Sequence, residues 1–188
     1  MYQAFGKRLF DVLWAACSLF LLSPLLLVVA LAILFYDPGP VLFSHQRIGK
    51  KGVPFRFYKF RSMPIGTPKV PSDRLCEIRL TLVGRLIRRT NIDELPQLFN
   101  ILKGDMSVVG PRPPLVGQVE LIDLRRQNGS LALRPGLTGL AQVRSFSGMS
   151  IEQKAAFDAA YSRSVSLSFD LGIIVQTFFY LFRSPPVY

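Results

Sequence analysis

VLWAACSLFLLSPLLLVVALAILF, residues 12–35, carries no charged side chain and is dominated by Leu, Val, Ala, Ile and Phe. As a helix, roughly 20 such residues cross a hydrocarbon core of about 30 Å, so the run is long enough to span a membrane. A cleaved signal peptide would have an apolar core of about 7–15 residues and then a small-x-small site. This run is longer and leads through Tyr36 into Asp37-Pro38-Gly39-Pro40. Roughly 20 uninterrupted apolar residues are also long for a buried core helix. The segment therefore places the chain at a membrane. Ser23-Pro24 lies at its midpoint, where a proline removes a backbone hydrogen bond and predicts a break or kink.

Working outward, Lys7 and Arg8 precede the run and Pro38-Gly39-Pro40 stops it. Residues 41–61 read as a hairpin, with Val41-Leu42-Phe43 as one arm, Gly49-Lys50-Lys51-Gly52 as the turn and Phe55 to Phe60 as the other arm. Between Arg47 and Arg61 stand six basic residues (Arg47, Lys50, Lys51, Arg56, Lys59, Arg61) and no acidic one, a patch suited to headgroups or a phosphorylated ligand. The whole chain has 23 basic and 12 acidic residues, a net charge of +11, which favours anionic partners. Cys17 lies inside the apolar run and Cys76 far from it, so no disulfide framework is expected and both read as reduced thiols on a cytosol-facing protein. Residues 1–36 read as a membrane segment. Residues 37–188, about 150 in number, suffice for one domain with its own core.

Met63 to Asp73 is a loop by its prolines and glycine. A helix is predicted over Leu75–Arg89 on the stripe Leu80, Val83, Leu86 and Ile87, and another from near Asp93 to Gly104. Gly110–Pro114 is extended, and Arg134 to Gly139 forms a rigid turn. Ser150 with Gln153 makes a capping box for a helix to about Arg163. Ser168–Arg183 is a last helix, apolar enough to lie on a membrane interface. The fold class is α+β, mainly helical: a membrane helix, a small β-hairpin and amphipathic interface helices.

Standard catalytic equipment is scarce. His45 is the single histidine, and a lone histidine on a hairpin is more often structural; no G-x-x-x-x-G-K-[ST] loop and no C-x-x-C pair is present. Carboxylates and cations remain. Asp93-Glu94 fits an ordinary helix start, since acidic residues complement the helix dipole. Pro96, comfortable only in a first turn, places Asp93 at or just before the helix N-terminus, beside Arg88 and Arg89. A carboxylate there can attack phosphorus to form an acyl phosphate. An adjacent carboxylate can help to hold Mg²⁺ together with substrate phosphates. Pro111-Arg112-Pro113 presents a guanidinium on a stiff backbone, a geometry suited to phosphate.

Several pieces in this order resemble the monotopic phosphoglycosyl transferases, the bacterial PglC-like sugar transferases. They are Lys7-Arg8-Leu9-Phe10-Asp11, Ser23-Pro24, Gln46-Arg47-Ile48-Gly49, Tyr58-Lys59-Phe60-Arg61-Ser62-Met63, the unbroken block Asp93 to Pro113, and Arg134 to Val143. The resemblance, to the minimal form of the family, implies transfer of a sugar phosphate from a UDP-sugar to a polyprenyl phosphate such as undecaprenyl phosphate, with release of UMP. Asp93 would be the nucleophile, and Glu94 would act as Mg²⁺ ligand or proton acceptor, Asp93 and Glu94 forming the metal site. Lys59, Arg88, Pro111, Arg112, Pro113 and Asp158 would serve the substrates. Arg144-Ser145-Phe146 and Ile151 stand where many relatives carry Asn-Gly-Arg and later Trp, so no particular sugar is carried over.

The resemblance also implies a re-entrant helix with both ends on the cytoplasmic face of the bacterial inner membrane. The flanks agree: basic residues stand on both sides of the run, which gives no preferred direction of crossing. Ser23 is placed to satisfy a carbonyl freed by Pro24. The expected partners are UDP-sugar, polyprenyl phosphate and membrane lipid, with no nucleic acid; a homodimer stays open. Two rival readings are a membrane-bound UDP-sugar hydrolase using the same carboxylate and a basic nucleic-acid-binding membrane module.

Overall fold

The computed structural model describes residues 2–67, 80–145 and 148–181. A π-helical turn, Tyr2–Gly6, leads into helix α1, Lys7–Tyr36. Strands β1 (Leu42–Ile48) and β2 (Pro54–Phe60) follow, then α2 (Leu82–Arg89), α3 (Gln97–Lys103) and β3 (Ser107–Val109). Helix α4 (Val119–Gln127), β4 (Gly136–Thr138), α5 (Leu140–Val143), α6 (Ile151–Arg163) and α7 (Leu167–Leu181) complete the order. The α+β, mainly helical class expected from the sequence is what forms.

Helix α1 has 30 residues, about 45 Å at 1.5 Å per residue. Its helical structure continues through Pro24 rather than ending there. Pro24 leaves the Phe20 carbonyl without its backbone donor, and Ser23 Oγ donates to that carbonyl at 2.8 Å. Asp11, Ala15, Val29 and Ile33 are its buried residues. At 100° per residue these four fall within about 40° of neighbouring members along one line, so a single stripe meets the protein. The opposite face is left uncovered, with Phe20 80% and Leu21 73% exposed. Apolar surface on this scale calls for a partner such as lipid.

The main core joins Ala15 of α1 to Phe57, Leu98, Ile101, Met106, Val108, Val109, Tyr161 and Ile173. A second cluster joins Val29 and Ile33 to Phe60 of β2 and Ile87 of α2. Both ends of α1 are therefore anchored on one body. Polar ties reinforce the amino-terminal end. Arg8 donates to the Ile101 and Leu102 carbonyls at 2.6 and 2.8 Å, capping the end of α3. Lys7 pairs with Asp170 at 2.9 Å. At the far end Arg61 Nη2 donates to the Asp37 carbonyl.

The expected hairpin forms, its first strand running on to Ile48, antiparallel with His45 opposite Phe57 and Ile48 opposite Pro54. Gly49–Gly52 make the turn, with Gly52 at φ 83°. The second sheet was not foreseen: β3 and β4 pair in parallel, Ser107 with Gly136 and Val109 with Thr138. Glycines permit this approach, since a Cβ on Gly136 would lie 2.1 Å from Gly110 N. The capping box forms as read, Gln153 N donating to Ser150 Oγ and Ser150 N to Gln153 Oε1.

Two helix starts differ from expectation. Helix α2 begins at Leu82 because Thr81 Oγ1 accepts from Gly84 N at 2.8 Å and caps it there; residues 75–79 of the predicted helix lie outside the described residues, as do Cys76 and Phe146. Leu86, expected on the buried stripe, is 62% exposed, while Ile87 is buried. The helix expected from Asp93 is a short 3-10 turn, Ile92–Glu94, followed by α3. Asn91 enters it at φ 55°, the left-handed region that a short polar side chain tolerates.

Asn100 fixes α3 against the hairpin. Its Oδ1 accepts from Tyr58 N at 3.1 Å, and its Nδ2 donates to the Arg56 carbonyl at 2.7 Å and to Asp105 at 3.1 Å. Asn100→Ala leaves buried backbone groups unpaired, and about 2–4 kcal/mol of stability is expected to be lost. Unfolding of the full chain in detergent measures this.

Candidate functional site

Three segments converge on the 3-10 turn that carries Asp93 and Glu94: β2 brings Lys59, α2 brings Arg88, and the stretch after β3 brings Arg112. Asp93 is 6% exposed. Burial, and then the neighbouring Glu94, push its carboxyl up to about 6, against the pull of Lys59, Arg88 and Arg112. Burial likewise works against Glu94, but the Arg112 charge and hydrogen bonds outweigh it and hold that carboxyl low. Arg112 grips Glu94 through both nitrogens, Nη2 to Oε1 at 2.6 Å and Nη1 to Oε2 at 3.4 Å. Burial lowers Lys59, with Asp93 opposing the shift. Arg88 Nε donates to Ser62 Oγ at 2.9 Å, which fixes it to the chain leaving β2.

The backbone carrying Arg112 is held at four successive carbonyls. Pro111 O accepts from Gly136 N at 2.9 Å, and Arg112 O from Arg125 Nη1 at 2.8 Å. Pro113 O accepts from Arg47 Nη1 at 2.9 Å, and Pro114 O from Ile48 N at 3.0 Å. Prolines 111, 113 and 114 lack an N–H, so apart from the Arg112 amide the backbone of this segment can be fastened only through its carbonyls. Arg125 is itself clamped by Asp158, Nε at 2.8 Å and Nη2 at 2.6 Å from Oδ2, and both are almost wholly buried. Burial pushes Asp158 up in spite of that pairing.

The residues read from the sequence thus divide in two. Asp93, Glu94, Lys59, Arg88 and Arg112 come together as one charged cluster. Pro111 and Pro113 stiffen the Arg112 segment, and Asp158 stands behind it, linked to Arg112 through Arg125. Three residues of the site were not singled out. Gln97, buried on α3, lies against Glu94. Arg47, read in the sequence as part of a basic run and of the Gln46–Gly49 motif but given no role, lies close enough to Arg112 and Glu94 for both to act on it; burial brings it down to about 10. Its Nε donates to His45 Nε2 at 2.7 Å. His45 is pushed down to about 4 by burial, then by Arg47 and Lys59, so the ring is neutral and orients Arg47. Arg125 left no signal: no helix was expected over Val119–Gln127 and no motif at Leu124-Arg125-Arg126.

Among the described residues, no group of three or more His, Cys, Asp or Glu could hold a metal ion. The Asp93–Glu94 pair offers two carboxylates, a donor set that fits a hard cation taking its remaining ligands from substrate phosphates and water. Chemically, the cluster sets a buried carboxylate among the cations of Lys59, Arg88 and Arg112, an arrangement able to bind an anionic ligand beside that carboxylate.

A profile described as bacterial sugar transferase matches residues 2–184. A UDP-glucose:undecaprenyl-phosphate glucose-1-phosphate transferase of Klebsiella pneumoniae is 40% identical over 97% of the chain, which spans 41% of that relative's length. A protein of the same description from Caulobacter vibrioides is 43% identical over 91% of the chain and 67% of its own length. The exopolysaccharide production protein ExoY of Rhizobium meliloti is 39% identical over 92% of the chain and 83% of its own length.

Proposed function

The chain belongs to the bacterial sugar transferase family, and on that premise we propose that it transfers a sugar phosphate from a UDP-sugar to a polyprenyl phosphate through a covalent intermediate on Asp93. The observation that carries this reading is the buried Asp93 carboxylate, raised to about 6 and ringed by Lys59, Arg88 and Arg112. A carboxylate at that value is a better base and nucleophile than a solvated one, yet is ionised at pH 7.

An Asp93 oxygen attacks the phosphorus that bears the sugar. The bond from that phosphorus to the bridging oxygen breaks, and UMP leaves with the electron pair. An oxygen of the lipid phosphate then attacks the same phosphorus. The bond to Asp93 breaks, its carboxylate is regenerated and a polyprenyl diphosphate sugar forms. Arg88, held by Ser62, and Arg112, held by Glu94, are in place before substrate arrives and, with the buried Lys59, meet the developing charge. Glu94 holds the Arg112 guanidinium near Asp93. Asp93 and Glu94 are also the residues that would hold Mg²⁺, which supplies charge neutralisation on the diphosphate when bound.

The reading extends to placement. Lys7, Arg8, Asp11 and Ala15 tie one end of α1 to the catalytic body, and Val29 and Ile33 tie the other to the same body. A helix crossing a bilayer would put those ends on opposite sides. Anchorage at both ends supports a membrane segment that enters and leaves by the cytoplasmic face of the inner membrane. Exposed Leu171, Val175, Phe178 and Phe179 of α7 offer a second lipid contact. Tags at residues 1 and 188 should be accessible from the same side; opposite sides would overturn the re-entrant placement.

The function is tested by UMP release from a panel of UDP-sugars, with and without polyprenyl phosphate and Mg²⁺. Sugar label should pass into organic-extractable lipid. Label recovered only as water-soluble sugar phosphate would make the enzyme a hydrolase instead.

A pH dependence follows from Asp93. Above about 6 the carboxylate is ionised; below it, each pH unit should slow adduct formation about tenfold. Single-turnover adduct formation across pH 4–8, followed by mass spectrometry, measures this, and a flat profile would remove Asp93 as the group titrating in the first step.

A further inference from the structure

We propose that His45 is a positioning residue for the donor's diphosphate: its uncharged ring fastens Arg47 into the site without cancelling any of the arginine's charge. The inference rests on the transferase reading above. On one face of the hairpin Phe43 stands opposite Lys59, His45 opposite Phe57 and Arg47 opposite Phe55. Rings fill the middle of this face, with His45 centred 5.5 Å from Phe43 and 5.2 Å from Phe57. Cations close its two ends. Lys59 Nζ lies 5.9 Å from the centre of the Phe43 ring, and the Arg47 guanidinium 5.3 Å from that of Phe57. His45 therefore sits between two cations whose charge reaches the Asp93–Glu94 turn.

Arg47 Nε donates to His45 Nε2 at 2.7 Å, and Nη1 to the carbonyl of Pro113, the neighbour of Arg112, at 2.9 Å. A ring nitrogen that accepts carries no proton, so the His45 proton sits on Nδ1. Nδ1 is buried and finds no acceptor among the described residues, so the arginine alone sets the tautomer. A buried donor left over calls for a reason. Charge supplies one. Buried arginines are commonly held by carboxylates, as Asp158 holds Arg125 here. A carboxylate at position 45 would face both Arg47 and Lys59 and cancel part of the positive charge that draws in a diphosphate. Arg47 already stands near the like charge of Arg112, with Glu94 the carboxylate acting on it. Like charges held together favour an anion beside them. A neutral acceptor fixes the guanidinium by geometry and leaves its charge to the ligand.

His45 is the single histidine of the chain, so histidine-selective ¹⁵N labelling of the full chain in detergent reads one ring by NMR. At neutral pH Nδ1 should carry the proton and Nε2 none. Titration calorimetry with UDP on the same sample reads the site without requiring turnover. His45→Phe keeps a ring between Phe43 and Phe57 but cannot accept, and UDP affinity should fall roughly tenfold, the worth of one charge-assisted hydrogen bond. His45→Gln offers a neutral Oε1 acceptor and should bring affinity back to within about threefold of wild type. His45→Glu pairs with Arg47 and Lys59, so it should unfold no lower than His45→Gln, yet bind UDP roughly tenfold more weakly. A merely structural histidine would leave the glutamate and glutamine variants equal in affinity. That equality, a proton on Nε2, wild-type affinity in His45→Phe, or a glutamate variant less stable than the glutamine one would each overturn the proposal. Should His45→Phe not fold, the glutamine and glutamate variants decide it. Wild type that binds no UDP would bring down the transferase reading as well, whereas the other adverse results overturn this inference alone.

Discussion

Asp93→Asn is expected to abolish turnover, on the order of 10⁴-fold or more, and with it any covalent sugar-phosphate adduct. The amide is nearly isosteric but cannot attack phosphorus. The same change should stabilise the fold. In the native protein the Asp93 carboxyl is raised to about 6, so the folded state holds a proton that the unfolded chain has already lost. Stability therefore falls as pH rises from about 4 to about 6, and the deficit stays above that window. The substituted amide carries no charge to desolvate, so the variant should outlast wild type on heating at pH 7 and match it near pH 4. Mass spectrometry after exposure to UDP-sugar reads the adduct, and thermal unfolding at the two pH values reads the stability. An adduct surviving in the variant would move the nucleophile elsewhere; an unchanged pH dependence of unfolding would mean that Asp93 is not the strained group.

What could be read in the sequence was local. The hairpin announces itself through Gly49 and Gly52 around two β-prone arms, and the α6 start through Ser150 and Gln153. The freed carbonyl at Phe20 and its rescue by Ser23 follow from Pro24 alone. Asp93 could be read from Pro96 and the adjacent Arg88-Arg89 as a carboxylate at a helix start able to attack phosphorus, but not as the centre of a cluster, because Lys59 and Arg112 come from β2 and the segment after β3, up to tens of positions away. The family resemblance then gave it the nucleophile's role. Strands β3 and β4 escaped because three residues are too few to show an alternation. Their signal was the spacing of Gly110, Gly136 and Gly139, where a Cβ on Gly139 would sit 2.1 Å from Gly110 O. Arg125 escaped for a deeper reason: its partners are a backbone carbonyl and a carboxylate on another helix, so nothing in its own neighbourhood marks it.

Arg125→Met should therefore have an effect out of proportion to that silence. The methionine fills similar space but leaves Asp158 buried without its partner, which for ion pairs of this kind costs about 3–5 kcal/mol. In a chain of this size that lowers the unfolding midpoint by roughly 10 °C or more. The loss should shrink at low pH, because burial already pushes Asp158 up and protonation removes the unpaired charge. A second replacement separates stability from positioning. Arg125→Met with Asp158→Leu swaps the pair for apolar side chains and should recover most of the stability. The donor to the Arg112 carbonyl stays missing. Since that bond aims the guanidinium at Glu94, the double variant should fold like wild type yet turn over roughly tenfold more slowly, the worth of one hydrogen bond expressed in rate. Full activity in a stable double variant would reduce the Arg125–Asp158 pair to scaffold. Low activity in a stable one would place the pair in control of Arg112, and through it of the carboxylates that meet the substrate.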